Sequence, residues 1–179
     1  ALMVHDFTQI IRGWIFLLIT GLGALGVFFI QLNISQTGDF NLLPLTRLFL
    51  GAPLIMFSLL VTLTTFIFSG QLIHRAKQHK MNLMLDVTPS ENWQWLSAKV
   101  GAITLIQILQ LLIFLCTSLL IQALNGYHTW ELDLYCFHLF VLVMPTLFVW
   151  NVTSYFVHSL LPNIFLGLFF LACLWLGGS

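Results

Sequence analysis

The sequence predicts an all-α integral membrane protein, an N-terminal interfacial helix followed by about five transmembrane helices. Three observations predict it. Of 179 residues, 59% are hydrophobic and only 7% charged, whereas a soluble domain carries about 25% charged residues. Several windows of about 20 residues contain no ionised side chain, the length a helix needs to cross roughly 30 Å of hydrocarbon. Within those windows the polar residues recur at helical spacing, forming stripes. A water-soluble globule is excluded. Six Lys and Arg balance six Asp and Glu, so the chain lacks the concentrated basic surface that nucleic acid requires, and nucleic acid is no partner. Cys116, Cys136 and Cys173 are far apart within apolar runs, without metal or redox spacing, and read as small hydrophobes.

Residues 1–12 form the interfacial element. Met3, Val4, Phe7, Ile10, Ile11 and Trp14 fall on one arc of a helical wheel, and His5, Asp6, Gln9 and Arg12 on the other. A helix lying on the bilayer accounts for this pattern, as does a frayed amphipathic terminus. The apolar runs that follow are 13–32, 48–69, 100–124, 134–159 and 164–176. Residues 13–69 thus hold the first two spans and 100–179 the remaining ones. The last run, about 13 apolar residues, is shorter than a full span, which leads us to expect a piece of a longer protein.

In the first run, Gly21, Gly23 and Gly26 spell Gly-x-Gly-x-x-Gly. No strand or soluble unit surrounds them, so they read as points of close helix approach, not as a dinucleotide loop. Ser58, Thr62, Thr65 and Ser69 make a narrow stripe on the second run, suited to helix packing. On the third, Thr104, Gln107, Gln110, Thr117, Ser118 and Gln122 project onto roughly 140° of the circumference. Glutamine amides in hydrocarbon must find partners, so this face meets another helix, a second subunit or a water-accessible path. Asn151, Ser154 and His158 form a polar stripe on the fourth run, where His158 lies close enough to the interface to be solvated. Pro145 removes a backbone donor inside that run and is expected to bend it; Pro53 stands harmlessly near a helix start.

The interval 70–99 holds Arg75, Lys77, Lys80 and Lys99, and the positive-inside rule makes it cytoplasmic. The N-terminus is then cytoplasmic too, with 33–47 and 125–133 on the opposite side. The interval reads as a basic helix-compatible stretch, a break at Pro89, and a new helix that Ser90 caps and Glu91 favours through the dipole. Leu83, Met84, Leu85 and Trp93 make an apolar docking element; a helical turn lying on anionic lipid is the alternative.

Chemistry within the chain is not expected. No nucleophile–base–orienter set and no His-Glu-x-x-His helix is present. Asp6, Asp39, Asp86, Glu91, Glu131 and Asp133 all fall outside the apolar runs, so no buried carboxylate is expected, which argues against an ion-coupled transporter. His138 and His158 are 20 residues apart on one run, about 30 Å along a helix axis, too far to share a haem.

With these parts in order, the chain resembles the permease subunits of bacterial ABC-2-type ABC transporters. Lys80 to Leu85, Thr88-Pro89-Ser90 and Lys99 match the usual coupling segment between the second and third spans. Leu142-Val143-Met144-Pro145-Thr146-Leu147-Phe148 and His158-Ser159-Leu160-Leu161-Pro162-Asn163 are similar to that group's fourth span. His74 and Arg75 stand where those permeases carry an acid, and no sixth apolar run follows.

The resemblance implies the membrane-spanning permease subunit of an ATP-driven exporter in the bacterial inner membrane. It implies a second permease copy or half and a cytoplasmic ATPase as partners, besides the bilayer itself. The sequence has no Gly-x-x-x-x-Gly-Lys-Ser/Thr loop, so ATP and magnesium would belong to the partner, leaving this chain without a cofactor and without enzymatic activity of its own. Arg75, Lys77, Leu85, Asp86, Pro89 and Trp93 are then the coupling residues, and Gln107, Gln110, Asn151 and His158 the translocation face. A non-transporting scaffold that assembles a membrane complex through its polar stripes is the other reading.

Overall fold

A computed structural model describes residues 2–37, 45–78, 92–125, 131–161 and 163–177, and those residues are helical apart from short turns. Helix α1 (Leu2–Ile11) turns at Gly13 into α2 (Trp14–Thr37). A short helix α3 (Leu45–Phe49) precedes α4 (Ala52–Gln78), and α5 (Asn92–Leu124) follows. Helix α6 covers Leu132–Leu160, and α7 covers Ile164–Gly177. Four of them contain segments long and apolar enough to cross a membrane: Trp14–Ile34, Ala52–His74, Leu96–Leu124 and Leu132–Leu160. The fifth run forms α7, an apolar helix of 14 residues, shorter than the other four.

The helices do not end where the apolar runs end. Helix α4 continues past the apolar run to Gln78, as the helix-compatible reading of that basic stretch allows, since Gly70 to Gln78 contains no proline to block the i to i−4 ladder. In α6 the residues Phe137–Val143 form a π-helical stretch between two α-helical parts, with the Met144 N–H donating to the carbonyl five residues back at Leu139. Pro145 follows immediately and lacks the N–H that would bond Val141. A wider turn just upstream is one way a helix accommodates that missing bond.

The chain divides into two compact units. One comprises Ala1–Gly13, Thr62–Ile106 and Phe148–Ser179; the other comprises Trp14–Val61 and Gln107–Leu147. The core of the first is Phe66, Val157 and Leu171, flanked by Trp150, Leu161, Leu168 and Trp175. Val27, Leu54, Phe57, Val61, Leu111, Phe114, Tyr135, Leu139 and Leu147 form the core of the second, where Phe57 and Phe114 pack as tilted rings 5.3 Å apart. Large apolar side chains remain exposed, among them Leu22, Leu25 and Phe29 on α2 and Phe165 and Phe169 on α7. Such surfaces are unfavourable in water and natural in lipid.

The glycine reading holds at one position and not at the others. A Cβ on Gly23 would meet Leu60 at 2.9 Å and Phe57 at 3.5 Å, so α2 approaches α4 there. Nothing lies within 4 Å of the corresponding position on Gly21 or Gly26.

Candidate functional site

Polar side chains in the first unit collect around the N-terminal part of α5. Lys99 is 5% exposed and Asp6 of α1 is 7% exposed, with Nζ 3.8 Å from the carboxylate. The same ammonium donates to the Leu72 carbonyl of α4 at 3.2 Å. Tyr155 of α6 donates through its hydroxyl to the Lys99 carbonyl at 3.0 Å. One turn along, the Asn151 amide donates to the Val100 carbonyl and to Thr104 Oγ1, both at 3.1 Å. Three helices and α1 therefore meet at Lys99.

Asp6 corrects an expectation. The helical wheel places it on the polar side of a surface helix, with no carboxylate buried, yet α1 packs with Asp6 and Ile10 buried and Val4 exposed. The reason is Lys99: an ammonium buried in an apolar unit needs a counter-charge. Helix α1 supplies it by rotating away from the orientation its apolar arc alone would choose. Met3 completes the contact, its sulfur lying where a Cβ on Gly101 would come within 2.8 Å.

His158 corrects a second one. Its place near a helix end suggested solvation, but it is fully buried. Two glycines make room for the imidazole: a Cβ on Gly70 would lie 2.9 Å from the ring and one on Gly167 only 2.3 Å. The ring nitrogen Nε2 lies 3.2 Å from the Phe66 carbonyl, which makes it the protonated nitrogen. Because α4 continues past Ser69, His74 stands edge-on to His158, ring centroids 6.4 Å apart. Ser69 and Ser154 hydrogen-bond beside them. Among the described residues no group of three or more His, Cys, Asp or Glu is placed to hold a metal ion.

Neutral pairs fill the same need in the second unit. The Gln107 amide donates to the Leu147 carbonyl at 3.1 Å, and Gln110 donates to Thr20 Oγ1 at 3.2 Å. Gln122 donates to Thr46 Oγ1 at 3.2 Å and to the Tyr135 hydroxyl at 3.0 Å, while Gln31 donates to Ser118 Oγ at 2.7 Å. All four glutamines are completely buried. The polar face of α5 thus meets other helices within the chain, the first of the three partners that its sequence allowed.

Of the four residues expected on a translocation face, Gln107 and Gln110 belong to the second unit, and Asn151 and His158 to the first. All four are fully buried. Of the six expected coupling residues, Arg75 and Lys77 lie on the last turns of α4 and Trp93 on the first turn of α5. Leu85, Asp86 and Pro89 lie outside the described residues. Sequence reasoning missed Asp6, Gln31 and Thr20 as members of the polar cores. For Gln31 a signal existed: a lone amide in a long apolar run needs a partner on another helix.

No protein-family model, no curated protein and no solved structure matches this chain.

Proposed function

We propose that this chain is the membrane-spanning permease subunit of an ATP-driven exporter of the ABC-2 type, working with a cytoplasmic ATPase and a second permease copy or half. It would reside in the bacterial inner membrane with its N-terminus in the cytoplasm. The observation that carries the reading is the position of Lys99. This lysine closes the coupling segment in the sequence resemblance, and it is buried against Asp6 of α1 while bonded to α4 and α6 through Leu72 and Tyr155. A displacement delivered to the first turns of α5 by an ATPase would therefore reach the interfacial helix and two further helices at one point. Such a shared point lets differential contacts in two states bias the whole set together.

In this reading Arg75, Lys77, Leu85, Asp86, Pro89 and Trp93 engage the ATPase. Gln107, Gln110, Asn151 and His158 would exchange their present partners for the translocated substrate.

Affinity purification of the full-length protein from its native membrane is the test. Recovery of an ATP-hydrolysing partner, lost on Trp93→Ala and on Arg75→Glu while the protein stays folded, is the expected result. Recovery unaffected by both changes would point instead to a scaffold assembled through other surfaces. The topology has its own check: a membrane-impermeant amine reagent applied to intact cells should leave Lys77 and Lys80 unmodified.

A further inference from the structure

The burial of Asp6 has an electrostatic consequence for the opposite face of α1. Asp6 is the only acid on that helix, and it is turned inward and paired with Lys99. The exposed face carries His5, Thr8, Gln9 and Arg12, and these four with Gly13 line a cleft of about 340 Å³. Among the described residues no carboxylate pairs with Arg12; His5 Nδ1 lies 3.7 Å from the Asp6 carboxylate. The Thr8 hydroxyl is turned back to the Val4 carbonyl at 2.7 Å, which leaves Arg12, Gln9 and His5 as the groups that can face a guest.

The level of the cleft relative to the first span follows from the chain. Gly13 is followed directly by Trp14, where the first apolar span begins, and Trp14 is 75% exposed. Gly13 itself is required: its N–H bonds the Ile10 carbonyl at 2.9 Å, and a Cβ there would lie 2.9 Å from the same oxygen. A guanidinium two residues before a span stands at headgroup level, with an indole two residues further on that prefers the same zone.

We propose that this cleft binds the phosphate headgroup of an anionic phospholipid, with Arg12 as the principal contact and Gln9 and His5 as hydrogen-bonding neighbours. The guanidinium fork matches phosphate oxygens bidentately, which an ammonium cannot do. Anionic lipid is the occupant because the site lies where the span enters the bilayer, not in bulk solvent. The proposal rests on that membrane entry and not on the transport reading, so either can fail alone.

The test uses the full chain purified in a neutral detergent and stripped of lipid. Phosphatidylglycerol added in mixed micelles should bind about fivefold more tightly than phosphatidylcholine, read by native mass spectrometry and by a rise in melting temperature. Arg12→Gln should bring that preference to about one, and Arg12→Lys should restore part of it. Because Arg12 is exposed, both variants are expected to melt as the wild type does without lipid. Equal binding of the two lipids, or a preference that survives Arg12→Gln, would overturn the proposal. So would equal stabilisation by inorganic phosphate at the same concentration, which would make the cleft a site for free anions.

Discussion

The two units solve one problem, polar groups inside an apolar helix bundle, by different means. In the first, an ammonium, a carboxylate and an imidazole are enclosed besides the Asn151 amide: Lys99 lies against Asp6 and the Leu72 carbonyl, and His158 against the bare backbones of Gly70 and Gly167. In the second, uncharged amides of α2 and α5 meet hydroxyls and a backbone carbonyl. A charge without its partner is penalised several times more than an amide without its hydroxyl when water is absent. The difference locates sensitivity. The first unit should tolerate few changes at its polar positions, and the second should respond gradually.

The largest expected effect is at the ion pair. Asp6→Ala removes the carboxylate that lies 3.8 Å from the buried Lys99 ammonium and should destabilise the protein by about 3–5 kcal/mol. Replacing both, as Asp6→Leu with Lys99→Met, should recover most of that loss, since a well-packed apolar pair often equals a buried ion pair. Thermal melts of the detergent-purified variants followed by tryptophan fluorescence would decide it. A double variant as unstable as Asp6→Ala would mean that the charges hold α1 in a way packing cannot replace.

Next comes Gly167→Ala, whose Cβ would fall 2.3 Å from the His158 ring. A rigid ring clamped from a second side by Gly70 has little freedom to move, so a loss of about 1–3 kcal/mol is expected. The same substitution in a His158→Ala background should cost much less. If both backgrounds lose equally, the imidazole is not what the glycine accommodates.

In the second unit Gln31→Leu should cost about 0.6–2 kcal/mol, the range of interhelical hydrogen bonds within membranes. Combined with Ser118→Ala in a double-mutant cycle, it should show coupling of similar size. An effect as large as that of Asp6→Ala would erase the contrast between the units. Smallest of all, Gly21→Ala should shift stability by no more than about 0.5 kcal/mol, because nothing lies within 4 Å of the new methyl group. Its neighbour Gly23 faces Leu60 at 2.9 Å and should not tolerate the same change as well.

Much of the architecture was legible beforehand. Four of the apolar runs are long helices, and the polar face of α5 is turned away from the surroundings, as amides in hydrocarbon require. The candidate site was less legible. The wheel of α1 placed Asp6 with the polar residues, since a wheel records spacing along one helix and has no knowledge of an ammonium waiting on another. His158 was misjudged for the same reason, because the space it fills is made by Gly70 and Gly167, respectively 88 residues before it and 9 after it in the chain. The continuation of α4 past the apolar run to Gln78 agrees with the helix-compatible reading of that basic stretch.

Length and hydropathy of the apolar runs determined by themselves that this protein is a set of helices fit for a membrane, because a continuous apolar run of about 20 residues has the length at which a helix, closing its backbone hydrogen bonds within itself, crosses the hydrocarbon. The residues of α5 that had to turn inward were also fixed at that level, by helical periodicity. Only the tertiary structure decided which partner each buried group received, and with it which face α1 leaves outside. Pairing energies depend on a neighbour's position in space, and helices far apart in sequence supply those neighbours.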